Sequence, residues 1–191
     1  SAGGNDAQEH YEGDYVDSAD GVHSHQIAPG NSVFNVVGFN PSVILQWNDA
    51  FGLSGNDYDL CLSGESAPAC ASSNSQQDGD DDPVEFLDLF CSGGCQIQVR
   101  KIAGLDRRLE IYVLGGALAS SDHVAAGSIF GHPAVTGVLA AAAIGASDTG
   151  LDNVESFSSH GPSDIFFPAV ESRPKPDLAA LDGVEVGGFG G

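Results

Sequence analysis

Short runs of alternating polar and apolar residues dominate the chain between residues 20 and 114. Side chains two positions apart lie on the same face of a β-strand, so each run predicts a strand with one buried face. The predicted strands are 22–27, 33–39, 42–47, 57–62, 83–90, 95–102 and 108–114. Turn-forming residues separate these runs, and no long helical pattern interrupts them. The block is therefore predicted to be an antiparallel β-sandwich or jelly roll.

The two ends of the chain have a different pattern. Residues 1–17 are polar and turn-rich, and residues 115–127 are rich in small residues and predict a linker. The apolar run from Val135 to Ile144 is compatible with a helix or a buried strand. Residues 155–186 predict a strand, a turn, an extended proline-rich arm, a second turn and the start of a strand that includes Val184 and Val186.

The strongly negative net charge of the chain limits the kinds of partner that it can bind. The 191 residues, enough for one domain or two small ones, contain 6 Lys and Arg against 27 Asp and Glu, which gives a formal net charge of −21. Binding to nucleic acid or to an anionic membrane surface needs the opposite charge, so neither partner is expected. The chain also lacks a run of about 18 apolar residues, so no transmembrane helix is predicted.

Four cysteines fall into two local pairs. The spacing predicts the disulfides Cys61–Cys70 and Cys91–Cys95, and hence a secreted, extracellular or periplasmic protein. Zinc is the alternative, but the separations of eight and three intervening residues fit the common zinc patterns poorly.

A second set of residues suggests a hard cation. Asp57 and Asp59 alternate onto one face of a predicted strand, and Asp49 follows the strand before it. Carboxylate oxygens are the ligands that calcium prefers, so Asp49, Asp57 and Asp59 are the predicted calcium ligands; a solvated Asn/Asp turn is the alternative. The acidic run 78–82 is a weaker candidate. The nearby Trp47 is either an exposed binding residue or part of the core.

Two motifs near the end of the chain carry a family resemblance. They are Phe157-Ser-Ser-His-Gly-Pro162 and Lys175-Pro-Asp-Leu-Ala-Ala180, which is followed by Asp182-Gly-Val. In this order and at this separation they resemble the catalytic domain of subtilisin-like serine proteases, the subtilase family. There, the two turns come shortly before the Gly-Thr-Ser motif that carries the nucleophile. This chain departs from the family at 181–183, where Leu-Asp-Gly replaces the usual Pro-Gly.

The resemblance assigns roles to other residues. Ser1-Ala-Gly, followed by Asn5, resembles the loop whose Asn donates a hydrogen bond to the developing oxyanion, although here an extra Gly precedes Asn5. A neutral amide suits this role, and its loss costs about 3 kcal/mol of barrier. A functionless terminus is the alternative. The wall of the primary specificity pocket would consist of Ser128, Ile129, Phe130, Gly131 and His132, and the run after it would be a buried strand. The stretch 45–60 is similar to β-sandwich modules attached to bacterial proteases of this kind.

The resulting expectation is a mostly β chain. An inserted β-sandwich (20–114) would be flanked by an incomplete α/β catalytic-domain portion (1–19 and 115–191). The Asp, His and Ser triad motifs are absent from the sequence, so the chain alone is expected to be inactive. Its expected partners are the rest of a parent protease and a protein or peptide substrate. The alternatives are a binding module for protein or carbohydrate, stabilised by calcium, and a structural role in a parent whose triad has decayed.

Overall fold

The structure is a computed structural model that describes residues 1–64 and 75–185. The chain divides into two compact units. The first unit contains Ser1–Ala7, Ala125–Asp164 and Ser172–Gly191, and the second contains Gln8–Val124 and Ile165–Glu171. The second unit is thus wider than the predicted insert, because β-structure begins before residue 20 and continues past residue 114.

The second unit is built on one antiparallel six-stranded sheet. Its order is β1-β6-β2-β5-β3, and β4 pairs with β2. The strands are β1 (His10–Asp14), β2 (Phe34–Trp47), β3 (Asp57–Leu62), β4 (Val84–Asp88), β5 (Cys95–Ala103) and β6 (Arg108–Leu118). The prediction of antiparallel β-structure in this block is confirmed, and β3 to β6 lie where the alternating pattern placed strands.

β2 joins two predicted strands into one. The predicted turn at 40–41 is instead an irregularity in the pairing with β6, between Gly38 and Ser42. Gly38 has φ +139°, and a Cβ on it would lie 2.9 Å from the Cα of Gly116. The two glycines let the backbones of β2 and β6 approach closely, so the strand bends where a turn was expected.

The sheet rolls around a single core. In a flat sheet of this order, β1 and β3 would lie about 19 Å apart, at about 4.8 Å per strand. Instead, the ring of Tyr15, next to β1, lies 5.6 Å from the ring of Tyr58 on β3. Trp47 on β2 also packs 5.2 Å from Tyr58. The buried side chains of this cluster come from all six strands, and the fully buried ones include Phe34, Leu45, Ile97 and Ile111. The core is therefore enclosed by one rolled sheet, and not by the two facing sheets predicted for a sandwich.

Two elements of this unit differ from the sequence prediction. β1 was missed because its sequence, His-Tyr-Glu-Gly-Asp, is polar; it forms by pairing with β6 along its whole length. The predicted strand 22–27 forms isolated bridges instead, with Ser24 opposite Arg100 and His25 opposite Asp17. It is held beside β5 by the backbone hydrogen bond from His25 to Val99, at 2.8 Å.

The first unit contains a parallel pair of strands. β7 (Ala141–Gly145) pairs in parallel with β10 (Leu178–Asp182), and Ala2 forms a parallel bridge to Ala141 on β7. The run Val135 to Ile144 therefore ends in a strand, as the family resemblance implied. β10 ends at Asp182, so the strand predicted around Val184 does not form, and Val186 lies outside the described residues.

Helix is nearly absent from the described residues. Their one helical element is a 3-10 turn, His132–Ala134, so the helices of the expected α/β portion are not observed. β8 (Ser163–Ile165) pairs with β9 (Glu171–Arg173) in a separate two-stranded sheet. No helix in the described part of the chain is long and apolar enough to cross a membrane.

The cysteine predictions are resolved in part. Cys91 and Cys95 form the predicted disulfide, with their Cα atoms 6.0 Å apart. The predicted Cys61–Cys70 pair lies outside the described residues, because Cys70 falls in the segment 65–74.

Candidate functional site

The loop that carries Asn5 is anchored to β7 and to the turn at 157–159. Gly3 donates a backbone hydrogen bond to the carbonyl oxygen of Ala141, at 2.7 Å. Ser159 donates its backbone N–H to the carbonyl of Gly4 at 3.0 Å, and Ala7 donates to the carbonyl of Phe157 at 3.2 Å. The Asn5 loop and the turn at 157–159, two of the stretches that carry the family resemblance, are therefore in direct contact.

The extra glycine before Asn5 has a structural reason. Gly4 has φ +118°, and a Cβ on it would lie 2.5 Å from a carboxylate oxygen of Asp6 and 2.6 Å from the hydroxyl of Ser159. Only glycine fits this left-handed, crowded position. The glycine therefore allows the loop to pass close to Ser159.

The buried hydroxyls of Ser158 and Ser159 form hydrogen bonds to the backbone of β7 and of the Asn5 loop. The Ser159 hydroxyl accepts the N–H of Asp6 at 2.9 Å and donates to its carboxylate at 3.2 Å. The Ser158 hydroxyl accepts the N–H of Ala143 on β7 at 3.1 Å. Both side chains are almost completely buried. Asp6 was not singled out in the sequence, because a lone acid in a polar loop gives no signal.

Asn5 is the polar side chain of this loop that faces outward. It is exposed, and no described residue hydrogen-bonds its amide. It lines a cavity of about 280 Å³ together with residues of the loop, of β7, of β10 and of the 157–159 turn: Ala2, Gly4, Ala141, Ala142, Ala143, Phe157, Ala180, Leu181 and Asp182. A neutral donor therefore stands beside a small cavity at the sheet.

The Lys-Pro-Asp motif sets the parallel pairing of β10. The carboxylate of Asp177 accepts the N–H of Ala140 at 2.7 Å and the ammonium of Lys175 at 2.7 Å. Lys175 also donates to the carbonyl of Val138. The hydrogen bonds from Lys175 and Ala140 lower the pKa of Asp177. The motif thus ties the start of β10 to the residues that lead into β7.

The predicted pocket wall has a buried half and an exposed half. The hydroxyl of Ser128 donates to the carbonyl of Ala125 at 2.6 Å and accepts the N–H of His160 at 2.9 Å. Ser128 and Ile129 are both buried. Phe130, Gly131 and His132 are exposed, and Gly131 has φ +66°. None of the five lines the cavity beside Asn5.

In the second unit, Asp49 organises a loop. Its carboxylate accepts hydrogen bonds from the N–H of Ala50 at 2.9 Å, from the hydroxyl of Ser54 at 3.0 Å and from the amide of Asn56. Arg107 lies 3.8 Å away. Burial opposes ionisation, but the bonds from Asn56, Ala50 and Ser54 outweigh it and lower the pKa of Asp49. The carboxylate is thus engaged by the protein itself.

The other two predicted calcium ligands are buried on β3. Asp57 and Asp59 are both nearly inaccessible, and Asp59 lies opposite Arg100 in the pairing with β5. In the described part of the chain, one acidic group has three ligand atoms within 4.8 Å of one another. It consists of Asp78, Asp80 and Asp81, in the acidic run 78–82 that was the weaker calcium candidate. The set Asp49, Asp57 and Asp59 is not brought together in this way.

Trp47 belongs to the core. It is almost fully buried, and its indole N–H donates to the hydroxyl of Ser54 at 3.2 Å. It is therefore not available as an exposed binding residue.

Comparisons with known proteins support the fold. The chain matches no known protein family and no curated protein by sequence. Among solved structures, the CspB protease of Clostridium perfringens is similar, with a TM-score of 0.52 and 16% sequence identity. The alignment covers 94% of this chain and 40% of that one, so this chain spans about two fifths of the length of the structure that it matches. The fold is thus similar to part of a protease.

Proposed function

We propose that this chain is a piece of a secreted, subtilisin-like serine endopeptidase that supplies the oxyanion donor and part of the substrate cleft. The observation that carries the proposal is the contact between the Asn5 loop and the turn at 157–159. That contact buries the Ser158 and Ser159 hydroxyls and leaves the Asn5 amide exposed beside a cavity. Two separated motifs of the family resemblance thereby form one structure.

In this proposal, Asn5 donates its amide N–H to the oxygen that gains negative charge when a peptide bond is attacked. Such a donor acts best when it is held in place and needs no change in ionisation. The loop is held by three backbone hydrogen bonds and the Ser159 hydroxyl. Phe130, Gly131 and His132, which are exposed, would contact the substrate side chain.

The chain alone is proposed to be inactive. Peptide hydrolysis needs a nucleophile, a base that contacts it and an acid that orients the base. The sequence lacks the three motifs that carry these groups. The hydroxyls of Ser158 and Ser159 are engaged by backbone and carboxylate groups, so they are not free nucleophiles.

The test is to obtain the coding region on both sides of this segment and to express the parent protein. Motifs for the Asp, the His and the Ser on the two sides are expected. Asn5→Ala in the parent should then lower kcat by about 10²–10³ with little change in KM. Gln8→Ala, at an exposed neighbouring position, is the control and should keep full kcat. A parent without the motifs, or an Asn5→Ala variant with full kcat, would overturn the proposal.

Two observations support an extracellular location. The Cys91–Cys95 disulfide is typical of oxidising compartments, and the acidic surface suits a protein that stays soluble outside the cell. The proposal predicts that the protein isolated from its source is recovered outside the cytoplasm with this disulfide intact. Thiol labelling of freshly isolated protein would measure it.

A binding module is the second candidate function. Phe86 on β4 and Phe90 just after it are 63% and 89% exposed, and Phe39 at the bend of β2 is 76% exposed. Phe39 forms a bridge to Ser92, two residues after Phe90. Exposed aromatic residues that lie close together are typical of interaction sites. Phe86→Ser with Phe90→Ser should then abolish binding of the chain to an unfolded protein or a polysaccharide. Phe51→Ser, an exposed phenylalanine in another loop, is the control.

A further inference from the structure

Three buried oxygen-bearing side chains lie together beside β3 and β4. Asp57, Gln77 and Glu85 are 6%, 4% and 1% exposed. Within the described residues, one carboxylate oxygen of Asp57 and the amide oxygen of Gln77 are buried and accept no hydrogen bond. A buried oxygen without a partner costs about 1–3 kcal/mol, so these two oxygens, on neighbouring side chains, are candidate ligand atoms.

Gln77 connects the two carboxylates. Its side-chain amide nitrogen donates to Glu85 at 3.0 Å, and its backbone N–H bonds the carboxylate of Asp57. Because the amide nitrogen is used by Glu85, the amide oxygen is the atom left without a partner. Gln77 is therefore hydrogen-bonded to both acids, and the three neighbouring side chains offer oxygen atoms as ligands.

The orientation of β4 makes the burial of Glu85 informative. Glu85, Leu87 and Leu89 share the inward-facing side of the strand, while Phe86 faces outward and is exposed. A register shifted by one residue would bury Phe86 and expose Glu85. Burying a carboxylate costs several kcal/mol unless it is compensated. The fold thus places an acid where an aromatic residue was available.

The electrostatics of Asp57 agree with this geometry. Burial raises the pKa of Asp57, and the charges of Glu85 and Asp81 raise it further, against the lowering effect of the Gln77 N–H. Like charges in a poorly solvated place repel one another, and a cation bound between them relieves the repulsion.

We propose that Asp57, Gln77 and Glu85 bind a divalent cation of the calcium type. All three offer oxygen, and carboxylates combined with a neutral amide oxygen are ligands that calcium accepts. Of the three calcium ligands predicted from the sequence, the proposed site retains Asp57. Asp49 is instead hydrogen-bonded within its own loop, and Asp59 lies opposite Arg100. The inference is independent of the proposed protease function.

The test uses calcium chloride as the probe and the chain as it stands. Calorimetric titration and thermal unfolding in millimolar calcium, in a chelator and in magnesium would be compared for the wild type and for Asp57→Asn, Gln77→Leu and Glu85→Gln. The wild type should bind calcium and melt at a higher temperature with it than with the chelator. Each substitution should weaken calcium binding about tenfold or more, as the loss of a metal-site contact does.

Asp80→Asn, on the exposed loop beside the site, is the matched control and should retain calcium binding. Gln77→Leu leaves the charge unchanged, so it keeps the test decisive even where a carboxylate variant fails to fold. Equal melting of the wild type in calcium and in chelator would overturn the proposal. Binding that is lost in Asp80→Asn but kept in Asp57→Asn and Gln77→Leu would also overturn it, because the cation would then sit on the exposed loop.

Discussion

At the scale of single residues, His25 is a buried ring that the fold keeps uncharged. It is 1% exposed, and its Nε2 lies 2.7 Å from the hydroxyl of Tyr11 while its Nδ1 accepts the N–H of Val16 at 3.1 Å. Burial lowers the pKa of His25 to about 4. A proton must therefore be taken up on unfolding at any pH between this value and that of a free histidine.

This shift predicts a specific loss of stability in acid. The unfolded chain binds the proton near pH 6.5, and the folded chain binds it only near pH 4, so the free energy of unfolding should fall as pH drops through this window. The contribution of His25 is full above pH 6.5, and its loss amounts to about 3 kcal/mol. Denaturant unfolding between pH 7 and pH 4 measures it.

The control for this prediction is a pair of substitutions. In His25→Asn the side-chain oxygen can still accept the N–H of Val16, but nothing titrates, so the variant should lose most of the slope between pH 6.5 and pH 4. In His160→Asn, at an exposed histidine, the slope should stay as in the wild type. An identical slope in all three proteins would show that other groups cause the acid sensitivity.

A second residue-scale prediction concerns Ser159. In Ser159→Ala, the partly buried N–H of Asp6 loses its acceptor, which should destabilise the loop by about 1 kcal/mol. Amide hydrogen exchange at residues 4–7 measures the local opening, and faster exchange is expected. Ser147→Ala, at an exposed serine of the same unit, should leave exchange at this loop unchanged. Unaltered exchange in Ser159→Ala would mean that the backbone bonds alone hold the loop.

At the scale of elements, the close approach of β2 and β6 is the feature most sensitive to substitution. A Cβ on Gly116 would clash with the carbonyl oxygen of Val37 and would lie 2.9 Å from a side-chain carbon of Pro41. Gly116→Ala should therefore force the strands apart and cost about 1–3 kcal/mol, as overpacking does. Urea unfolding followed by the fluorescence of the buried Trp47 measures it.

Gly55→Ala is the matched control for this change. The nearest atom to a Cβ at Gly55 is 3.9 Å away, which is an ordinary contact. The two variants make the same chemical change in the same unit, so a comparable loss of stability in both would attribute the effect to glycine flexibility rather than to the packing of β2 against β6.

Most strands of the second unit could be predicted because burial there is one-sided. In β5 and β6 the alternation of polar and apolar side chains largely follows which face meets the core, whereas β3 alternates in sequence although its residues 57–61 are buried on both faces. β1 could not be found this way, because its buried residues include His10 and Glu12 and its strand forms only through pairing with β6. The bend in β2 was also hidden, because Asn40-Pro41 has the composition of a turn.

Residues of the candidate sites could be predicted from the sequence only where they belong to a short motif of consecutive residues. Asn5 and the turn at 157–159 could each be recognised alone, but their contact joins Asp6 to the Ser159 hydroxyl across a sequence separation of 153. Gln77 lies in no motif, and Glu85 looks like one polar residue of an alternating strand. The signal that could have revealed Glu85 is its shared phase with Leu87 and Leu89, which places an acid on the core-facing side.

At the scale of the whole molecule, charge repulsion should be a measurable term in stability. The formal net charge is −21, with six basic residues in 191. Like charges held on a folded surface repel more than they do in an expanded chain, and salt screens them over about 10 Å at 0.1 M. Raising sodium chloride from about 0.01 M to about 0.15 M should therefore stabilise the fold, by on the order of 1 kcal/mol or roughly 2–4 °C in melting temperature.

The salt response also separates general screening from the proposed calcium site. Screening depends on total charge, so sodium chloride should raise the melting temperature of Asp57→Asn as much as that of the wild type. Calcium added at fixed ionic strength should raise it only in proteins that keep Asp57, Gln77 and Glu85, and the effect should saturate. A melting temperature that falls as sodium chloride rises would mean that ion pairs such as that of Arg108 with Glu12 outweigh the net repulsion.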